Sequence, residues 1–482
     1  MQQVLDGVID YHFLLNGNWG QSASNRFIDV VSPNDGCVAG RIPAMTKEEV
    51  DLAVQGAVQA QKQWGLLPVH ERGQLLLNWA DELAMMSDEI AEMIMKEVGK
   101  TYSAAKNEVL RTSDLIRYTV EEGKRIHGEV MTGDSFQGSN ANKVAIVRKE
   151  PLGVILAISP FNYPVNLSAA KIAPALISGN TVILKPATQG SISALLMAKA
   201  LDKVGLPKGV LNVVTGKGSE IGDYLVTHPS IRMISFTGGT KTGRDIAKKA
   251  TMIPLVLELG GKDPAIVLED ANLDKAARHI VSGAFSYSGQ RCTAIKRVLV
   301  MDSVADSLIE KVKQQVEKLT VGMPEQDAAI TPLIDASSAD FVNDLILDAL
   351  NKGAIPITEY RRVGNLIYPL VLDHVTQDMK VAWEEPFGPV LPIIRVKNEQ
   401  EAVEIANASE YGLQASIFTQ DIDKAFHLAS KLEVGSVQIN GRTERGPDHF
   451  PFLGVKNSGM GVQGVRKSIE SMTRDKVLVL NL

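Results

Sequence analysis

Cysteine is scarce in this sequence, and long apolar runs and basic clusters are missing. Only Cys37 and Cys292 occur among 482 residues, too few for a disulfide framework in a chain of this length. No apolar stretch approaches the roughly 20 residues that span a bilayer, so we expect no membrane insertion. The net charge of −6 is spread without a basic block, which removes the electrostatic footprint of nucleic-acid binding.

Metal ligands and targeting signals are also missing from the sequence. The eight histidines include no pair at ligand spacing, and neither cysteine has a neighbouring ligand candidate, so we expect no metal site. The first residues are acidic before any apolar run and show no cleavage pattern. The sequence therefore predicts no signal peptide and a cytoplasmic protein.

The first 125 or so residues indicate helices. Thr46 and Glu49 form a capping-box pattern, apolar residues then recur every three to four positions, and two further helices are predicted near 70–96 and 104–122. A stretch rich in Gly, Ser and Asn follows, and then KVAIVRKE alternates like a half-buried strand. This pattern predicts a hairpin that protrudes from the body.

From residue 153 onward, short apolar runs alternate with helical stretches. The runs GVILAIS, TVILK, LNVV, RMISF and LVLEL indicate a doubly wound α/β sheet. A second alternating series predicts another α/β domain over about 261–458. The tail RDKVLVLNL is a terminal strand, for which the hairpin or another subunit would provide a partner.

Cys292 lies in SYSGQRCTAIK, in a polar turn after a helix and between Gly289 and Thr293. The thiolate is the reactive form of cysteine, and the adjacent guanidinium of Arg291 favours it by lowering a pKa that is ordinarily about 8.5. For any single cysteine, however, a buried structural role is more common. Cys37, in the turn PNDGCVAG, keeps that structural interpretation.

Glu258 ends the strand LVLEL directly before Gly260 and Gly261, where a tight turn can present its carboxylate to a cleft. Apolar neighbours would raise its pKa toward the range of a general base, although most such residues are solvated or salt-bridged. The segment SFTGGTKTGRDIA is strand, Gly-rich turn and helix, as at phosphate sites, but it lacks the GxGxxG spacing. The run GKGSEIG at 216–222 is a second glycine-rich candidate, and either could be a plain turn.

Together these segments resemble the aldehyde dehydrogenase superfamily. The matching motifs run in order along almost the whole chain: SPFNYP at 159–164, LKPAT at 184–188, FTGGTKTG at 236–243, LELGGKDP at 257–264, GQRC at 289–292 and EEPFGP at 384–389. The resemblance implies a Rossmann-type cofactor domain, an α/β catalytic domain and a small β oligomerisation element of a homotetramer. The corresponding ranges are 1–128 with 150–260 for the cofactor, 261–458 for catalysis, and 129–149 with 469–482 for oligomerisation.

The resemblance also assigns the chemistry. It implies that Cys292 is the nucleophile, that Glu258 activates the deacylating water, and that Asn162 with the Cys292 backbone N–H forms the oxyanion hole. Each such donor contributes roughly 2.7 to 4 kcal/mol in comparable sites.

Cofactor contacts follow from the same motifs. The implied cofactor-binding residues are Ser159, Lys185, Thr188, Gly218, Asp223, Gly238, Gly239, Glu385 and Phe387. Many members carry serine where this chain has Gly239, so the hydroxyl that would contact the pyrophosphate is missing. Members that prefer NAD commonly place glutamate where this chain has Thr188. Without that carboxylate nothing repels a 2′-phosphate and Lys185 can pair with it, so we expect NADP, with NAD bound less tightly.

The substrate is indicated by the ending INGRTERGPDHFPFLGVKNSGMGVQG and by EVLRT at 108–112. These segments resemble the non-phosphorylating glyceraldehyde-3-phosphate dehydrogenases, a group in which residues at four matching positions would bind the substrate phosphate. Here these are Arg111, Tyr163, Arg291 and Arg445. The resemblance implies irreversible oxidation of D-glyceraldehyde 3-phosphate to 3-phosphoglycerate with NADP⁺ and water.

Three other functions remain open from the sequence. A semialdehyde dehydrogenase would bind a carboxylate, as in succinic semialdehyde, through the same arginines. A thiol acyltransferase or esterase would use Cys292 and Asn162 but would have no use for EEPFGP. A catalytically silent binding protein would have no need of both Cys292 and Glu258.

Overall fold

Helices and strands alternate along most of the chain, of which the computed structural model describes residues 2–5 and 8–482. The α-helices found there span Lys47–Trp64, Val69–Met85, Ser87–Val98, Tyr102–Gly123, Asn166–Ile177, Ser191–Lys203, Gly218–Val226, Thr240–Lys249, Leu273–Phe285, Asp302–Val316, Ala336–Asn351, Glu399–Asn407, Ile422–Ala429 and Val465–Ser471. Within this part of the chain, every helix is too short or too polar to cross a membrane.

Two largely parallel sheets form the centre of the protein. The first has eight strands, in the order Gly459–Met460, Leu255–Glu258, Ile231–Thr237, Val154–Ile158, Thr181–Lys185, Leu211–Val213, Phe13–Leu15 and Asn18–Gly20. The second has seven, in the order Ile355–Pro356, Leu370–Asp373, Val390–Val396, Arg297–Met301, Pro264–Val267, Gln414–Phe418 and Ser436–Ile439. Their inner strands are buried almost throughout, as parallel strands covered by helices are. The predicted α/β fold is therefore confirmed.

The first sheet changes direction at its centre. Its chain starts at Val154–Ile158, proceeds to one side through Thr181–Lys185, and returns to the other side of the starting strand at Ile231–Thr237. In such a sheet, the loops at the carboxyl ends of the two diverging strands separate and leave a crevice that binds ligands. The topology therefore places a site beside Ser159 and Gly238.

A third sheet joins the chain terminus to the predicted hairpin. Thr473–Asn481 pairs antiparallel with Lys143–Pro151, which pairs in turn with Glu129–Thr132. The hairpin is thus the partner of the terminal strand, one of the two partners that the sequence predicted. The division into cofactor, catalytic and oligomerisation ranges stays a prediction.

The prediction of helices over the first 125 residues is wrong for the segment before Lys47. A four-stranded sheet forms there, in the order Gln2–Leu5, Val8–Tyr11, Val38–Pro43 and Phe27–Val31. From Lys47 onward the prediction is right, except that the range 70–96 contains two helices that meet at Met86. Two further two-stranded sheets pair Arg362–Val363 with Leu366–Ile367 and Tyr411–Gly412 with Val455–Lys456.

Candidate active site

A cavity of about 450 Å³ opens at the crevice of the first sheet. Most of the predicted cofactor-binding residues line it, namely Ser159, Lys185, Gly238, Gly239, Glu385 and Phe387. Gly238 leaves room for a ligand to approach the backbone closely, and a side chain there would not fit, because its Cβ would lie 2.6 Å from the Phe236 ring. At Gly239, by contrast, a Cβ would meet nothing within 4 Å. The cavity also reaches Glu258 and Cys292.

A second cavity, of about 370 Å³, holds the predicted substrate-binding residues. Arg111, Tyr163, Arg291 and Arg445 all line it, together with Cys292. The thiol therefore lies where the two cavities meet. A group held in the second cavity and a nucleotide held in the first would both have access to the same sulfur atom.

Cys292 is presented by a strained turn. After the helix Leu273–Phe285, Tyr287 and Ser288 adopt φ angles of 52° and 53°, and Gly289 has a φ of 74°. A Cβ on Gly289 would lie 2.4 Å from the carbonyl oxygen of Gly388, so only glycine fits there. This turn leaves Cys292 partly exposed.

Burial and the Glu258 carboxylate raise the pKa of the Cys292 thiol well above its ordinary value, while Lys296 and Arg445 act in the opposite direction. The expectation that Arg291 favours the thiolate stays a prediction. Nη2 of Arg291 donates to the carbonyl oxygen of Gly283. Burial lowers the pKa of Arg291 itself, and a charged Cys292 opposes that fall, as an attractive pair would. The strongest cationic effects on the pKa of the thiol come from Lys296 and Arg445.

Glu258 is 2% exposed, and burial raises its pKa, as the sequence predicted. Arg445, the Cys292 thiol and Lys171 oppose that rise. Lys171 was not predicted: its Nζ donates to Thr237 Oγ1 at 2.8 Å, and burial lowers its pKa to about 7. A carboxyl group whose pKa is raised in this way holds a proton more readily and can serve as a general base.

Asn162 has its amide fixed by the turn that carries the nucleophile. Its Nδ2 donates to the carbonyl oxygen of Gln290 at 2.9 Å, which leaves the second amide hydrogen for another acceptor. The segment that contains Asn162 also contacts a buried ion pair between Lys100 and Glu108, whose charged atoms lie 2.5 Å apart.

The pair formed by Lys100 and Glu108 was not predicted. Lys100 Nζ donates to the carbonyl oxygen of Asn162 at 2.8 Å and lies 3.6 Å from the centre of the Tyr163 ring. Glu108 Oε1 accepts the backbone N–H groups of Val165 and Asn166, at 3.0 and 3.1 Å. The pair thus fixes the segment that carries both the proposed oxyanion donor and a proposed substrate ligand.

The arginines of the second cavity differ in how well their charges are paired. Arg111 donates twice to Asp448, at 2.7 and 2.9 Å, and also to the carbonyl oxygen of Arg445. Among the described residues, no partner satisfies Nη1 of Arg445 or Nε of Arg291, although both atoms are buried. An anion in this cavity would therefore gain most from Arg445 and Arg291.

Three predicted cofactor residues lie outside the first cavity. Thr188 and Gly218 line a separate surface cavity of about 590 Å³ with Arg26 and Lys217. The segment from Gly218 to Asp223 is the start of a helix rather than a turn, because its hydrogen bonds continue through to Val226. Asp223 faces solvent and pairs with Lys249 at 2.6 Å.

Lys185 therefore lines the first cavity and Thr188 the surface cavity, and their shared role at the 2′-phosphate stays a prediction. Lys185 Nζ donates to the carbonyl oxygen of Pro186 at 3.0 Å, and burial lowers the pKa of Lys185 to about 8. No set of three His, Cys, Asp or Glu side chains suited to a metal ion occurs in the described ranges.

The chain belongs to the aldehyde dehydrogenase family, whose model matches residues 19–478. The family prediction is confirmed. An NADP-dependent glyceraldehyde-3-phosphate dehydrogenase of Streptococcus equinus is 55% identical over 98% of this chain and 99% of its own. The enzyme of the same name from Triticum aestivum is 52% identical over 99% of this chain and 97% of its own. A crystal structure of NADP-dependent glyceraldehyde-3-phosphate dehydrogenase from Bacillus halodurans C-125 complexed with NADP superposes with a TM-score of 0.97, at 59% identity, and covers 98% of this chain and 99% of that one.

Proposed function

We propose that the protein oxidises D-glyceraldehyde 3-phosphate irreversibly to 3-phosphoglycerate, with NADP⁺ and water. One observation carries the proposal: a single cavity brings Cys292 together with Arg111, Tyr163, Arg291 and Arg445. A phosphate dianion in a cleft of an acidic protein needs several charge-assisted hydrogen bonds, and this cavity offers them beside a nucleophile. The names of the full-length relatives agree with this substrate and cofactor.

The chain's own residues support each step. The Cys292 thiolate attacks the aldehyde carbon, and the oxyanion accepts from Asn162 Nδ2 and the Cys292 N–H. NADP⁺ in the first cavity would accept the hydride, which leaves a thioester on Cys292. Glu258 then takes a proton from the water that hydrolyses the thioester and releases the acid. Since the acyl group goes to water, the overall oxidation is irreversible.

The first cavity fits a dinucleotide. Its crevice position, the close approach at Gly238 and the carboxylate of Glu385 are features that hold the nicotinamide half of such a cofactor. Thr188 and Lys217, in the separate surface cavity, are suited to the 2′-phosphate, since one is neutral and the other cationic. Lys185, which lines the first cavity, would then contact the ribose that carries the 2′-phosphate.

We further propose a homotetramer in the cytoplasm. Val477, Leu478 and Val479 on the terminal strand are 52%, 51% and 50% exposed. Consecutive apolar residues exposed on a sheet favour association with a second copy.

The decisive assay for the reaction compares two aldehydes in the absence of inorganic phosphate. We expect NADPH to form with glyceraldehyde 3-phosphate and only slow turnover with succinic semialdehyde. Faster turnover of the semialdehyde would favour the semialdehyde dehydrogenase instead. Acyl transfer without any NADPH would favour a thiol acyltransferase.

Arg445→Leu tests the phosphate subsite. Loss of one charge-assisted contact, about 1.5 to 3 kcal/mol, should lower kcat/KM for glyceraldehyde 3-phosphate by about 10- to 100-fold. Arg445 also acts on the pKa of Glu258 and of Cys292, so a smaller loss with unphosphorylated glyceraldehyde is expected. The ratio of the two kcat/KM values isolates the phosphate contribution. An equal loss for both aldehydes would remove Arg445 from the subsite.

Thr188→Glu tests the choice of cofactor. A carboxylate in the surface cavity would repel the 2′-phosphate, so kcat/KM for NADP should fall by at least about 10-fold while that for NAD changes little. Thr188→Gln is the matched control, because it adds the same bulk without charge. Equal losses with both cofactors would place the 2′-phosphate elsewhere.

A further inference from the structure

Lys296 is a buried cation that lies between the two parts of the active site. Its side chain is 2% exposed, and it stands directly before the strand Arg297–Met301. Buried lysines are rare unless they are paired. The burial of Lys296 is explained by the groups that its ammonium group contacts.

The ammonium group connects the nucleophile to the cofactor cavity. Nζ of Lys296 donates to the carbonyl oxygen of Cys292 and lies 3.1 Å from Oε1 of Glu385. Glu385 lines the cofactor cavity, whereas the carbonyl of Cys292 belongs to the turn that presents the thiol. One charged group therefore restrains both elements.

The carboxylate of Glu385 is oriented by these contacts. Its Oε1 also accepts the backbone N–H of Gly261 at 3.2 Å, so that oxygen is held from two sides. Its Oε2 faces Gly260, where an added Cβ would lie only 2.1 Å away, and Gly260 lines the same cavity. With Oε1 held by Lys296 and Gly261, Oε2 is left for a ligand in that cavity.

We propose that Lys296 is a positioning residue that couples cofactor binding at Glu385 to the reactivity of Cys292. This inference rests on the proposed function in one respect, the assignment of Glu385 to the cofactor. Lys296 orients the carboxylate toward the ribose hydroxyls and fixes the backbone of the nucleophile with the same ammonium group. A change in the charge or position of Glu385 therefore alters the reactivity of the Cys292 thiol.

Other charged groups surround Lys296 and define its electrostatic setting. Asp263, Lys262, Arg297 and Glu384 act within the same cluster. Burial, Arg297 and Lys296 keep the pKa of Lys262 well below its usual value. Among the cations that lower the pKa of Cys292, Lys296 has the largest effect.

The test compares Lys296→Met, Lys296→Arg, Glu385→Gln and the double variant Lys296→Met/Glu385→Gln, all in a Cys37→Ser chain so that Cys292 is the sole thiol. Two quantities are measured without substrate: the rate of Cys292 alkylation by iodoacetamide across pH, and the Kd for NADP. We expect Lys296→Met to slow alkylation by about 10-fold at pH values below the midpoint of the pH–rate curve for Cys292. We also expect it to weaken NADP binding by about 10-fold. Lys296→Arg should restore most of both losses.

Coupling is read from the double variant. With Lys296 present, Glu385→Gln should speed alkylation by about threefold, because the ammonium charge is no longer neutralised. In the Lys296→Met chain the same change should have no effect. Equal effects of Glu385→Gln in both chains, or unchanged alkylation and NADP binding in Lys296→Met, would overturn the proposal.

The single variant Glu385→Gln keeps the test valid if Lys296→Met does not fold, because a slower or unchanged alkylation rate in it would also contradict the coupling. Failure of the proposed function looks different. A chain that bound no NADP in any form would refute the cofactor assignment, while the alkylation rates would still report on Lys296.

Discussion

Replacement of Cys292 by serine is expected to abolish aldehyde oxidation and leave cofactor binding intact. A thiolate forms the thiohemiacetal and then the thioester, whereas a serine hydroxyl stays protonated near neutral pH and is a far weaker nucleophile. We expect the rate of NADPH formation to fall by at least about 10⁴-fold. Titration with NADP should give a nearly unchanged Kd, because the exchange of one sulfur atom for oxygen is a small change in the lining of the first cavity.

Cys37→Ser is the matched control for this prediction. Cys37 is exposed in a turn and lines neither of the two cavities that meet at Cys292. Its replacement should leave turnover nearly unchanged. Normal activity in Cys292→Ser, or loss of activity in Cys37→Ser, would mean that the wrong thiol has been assigned.

The raised pKa of Cys292 bears on the reactivity of this thiol. Burial and Glu258 both favour the protonated thiol, which reacts more slowly with oxidants and alkylating agents than the thiolate does. Ionisation then needs a proton acceptor or extra positive charge close by. Arg445 and Lys296 supply such charge.

Local signals in the sequence predicted local structure well. The capping box forms as predicted, since Glu49 N donates to Thr46 Oγ1 at 3.3 Å and Thr46 N donates to Glu49 Oε2 at 2.8 Å. The strands before Lys47 were missed because each has only three to six residues and because one of them also pairs with a strand far along the chain. Leu14, for example, pairs with Val213, about two hundred residues along the chain. Such pairing leaves no periodic pattern in a short segment.

The candidate site shows the same limit. Motif residues such as Cys292 and Glu258 could be named from the sequence, and the structure brings them to one crevice. Lys100 and Lys296 could not be named from the sequence, because a charged side chain is ordinarily expected to be solvated. Their roles arise from burial, which the fold alone determines. The hydrogen bond of the Arg291 side chain was likewise unpredictable: its Nη2 donates to the backbone carbonyl of Gly283.

Glu258→Gln is expected to separate the two halves of the reaction. A base that activates water is needed for hydrolysis of the thioester, but neither attack by the thiolate nor departure of the hydride depends on it. Mixing this variant with NADP⁺ and glyceraldehyde 3-phosphate should give a burst of about one NADPH per active site, followed by turnover that is slower by at least about 10³-fold. Mass spectrometry of the quenched protein should then find the acyl group on Cys292.

The burst itself should not be slowed, and the sign follows from the electrostatics of the pair. The Glu258 carboxylate raises the pKa of Cys292, so a neutral glutamine at 258 lowers that pKa and increases the thiolate fraction at a given pH. Alkylation of Cys292 by iodoacetamide should accordingly be faster in Glu258→Gln than in the unmodified chain. If the variant instead forms no NADPH at all and alkylates more slowly, Glu258 serves as the proton acceptor that generates the thiolate, and its assignment to deacylation alone would have to be given up.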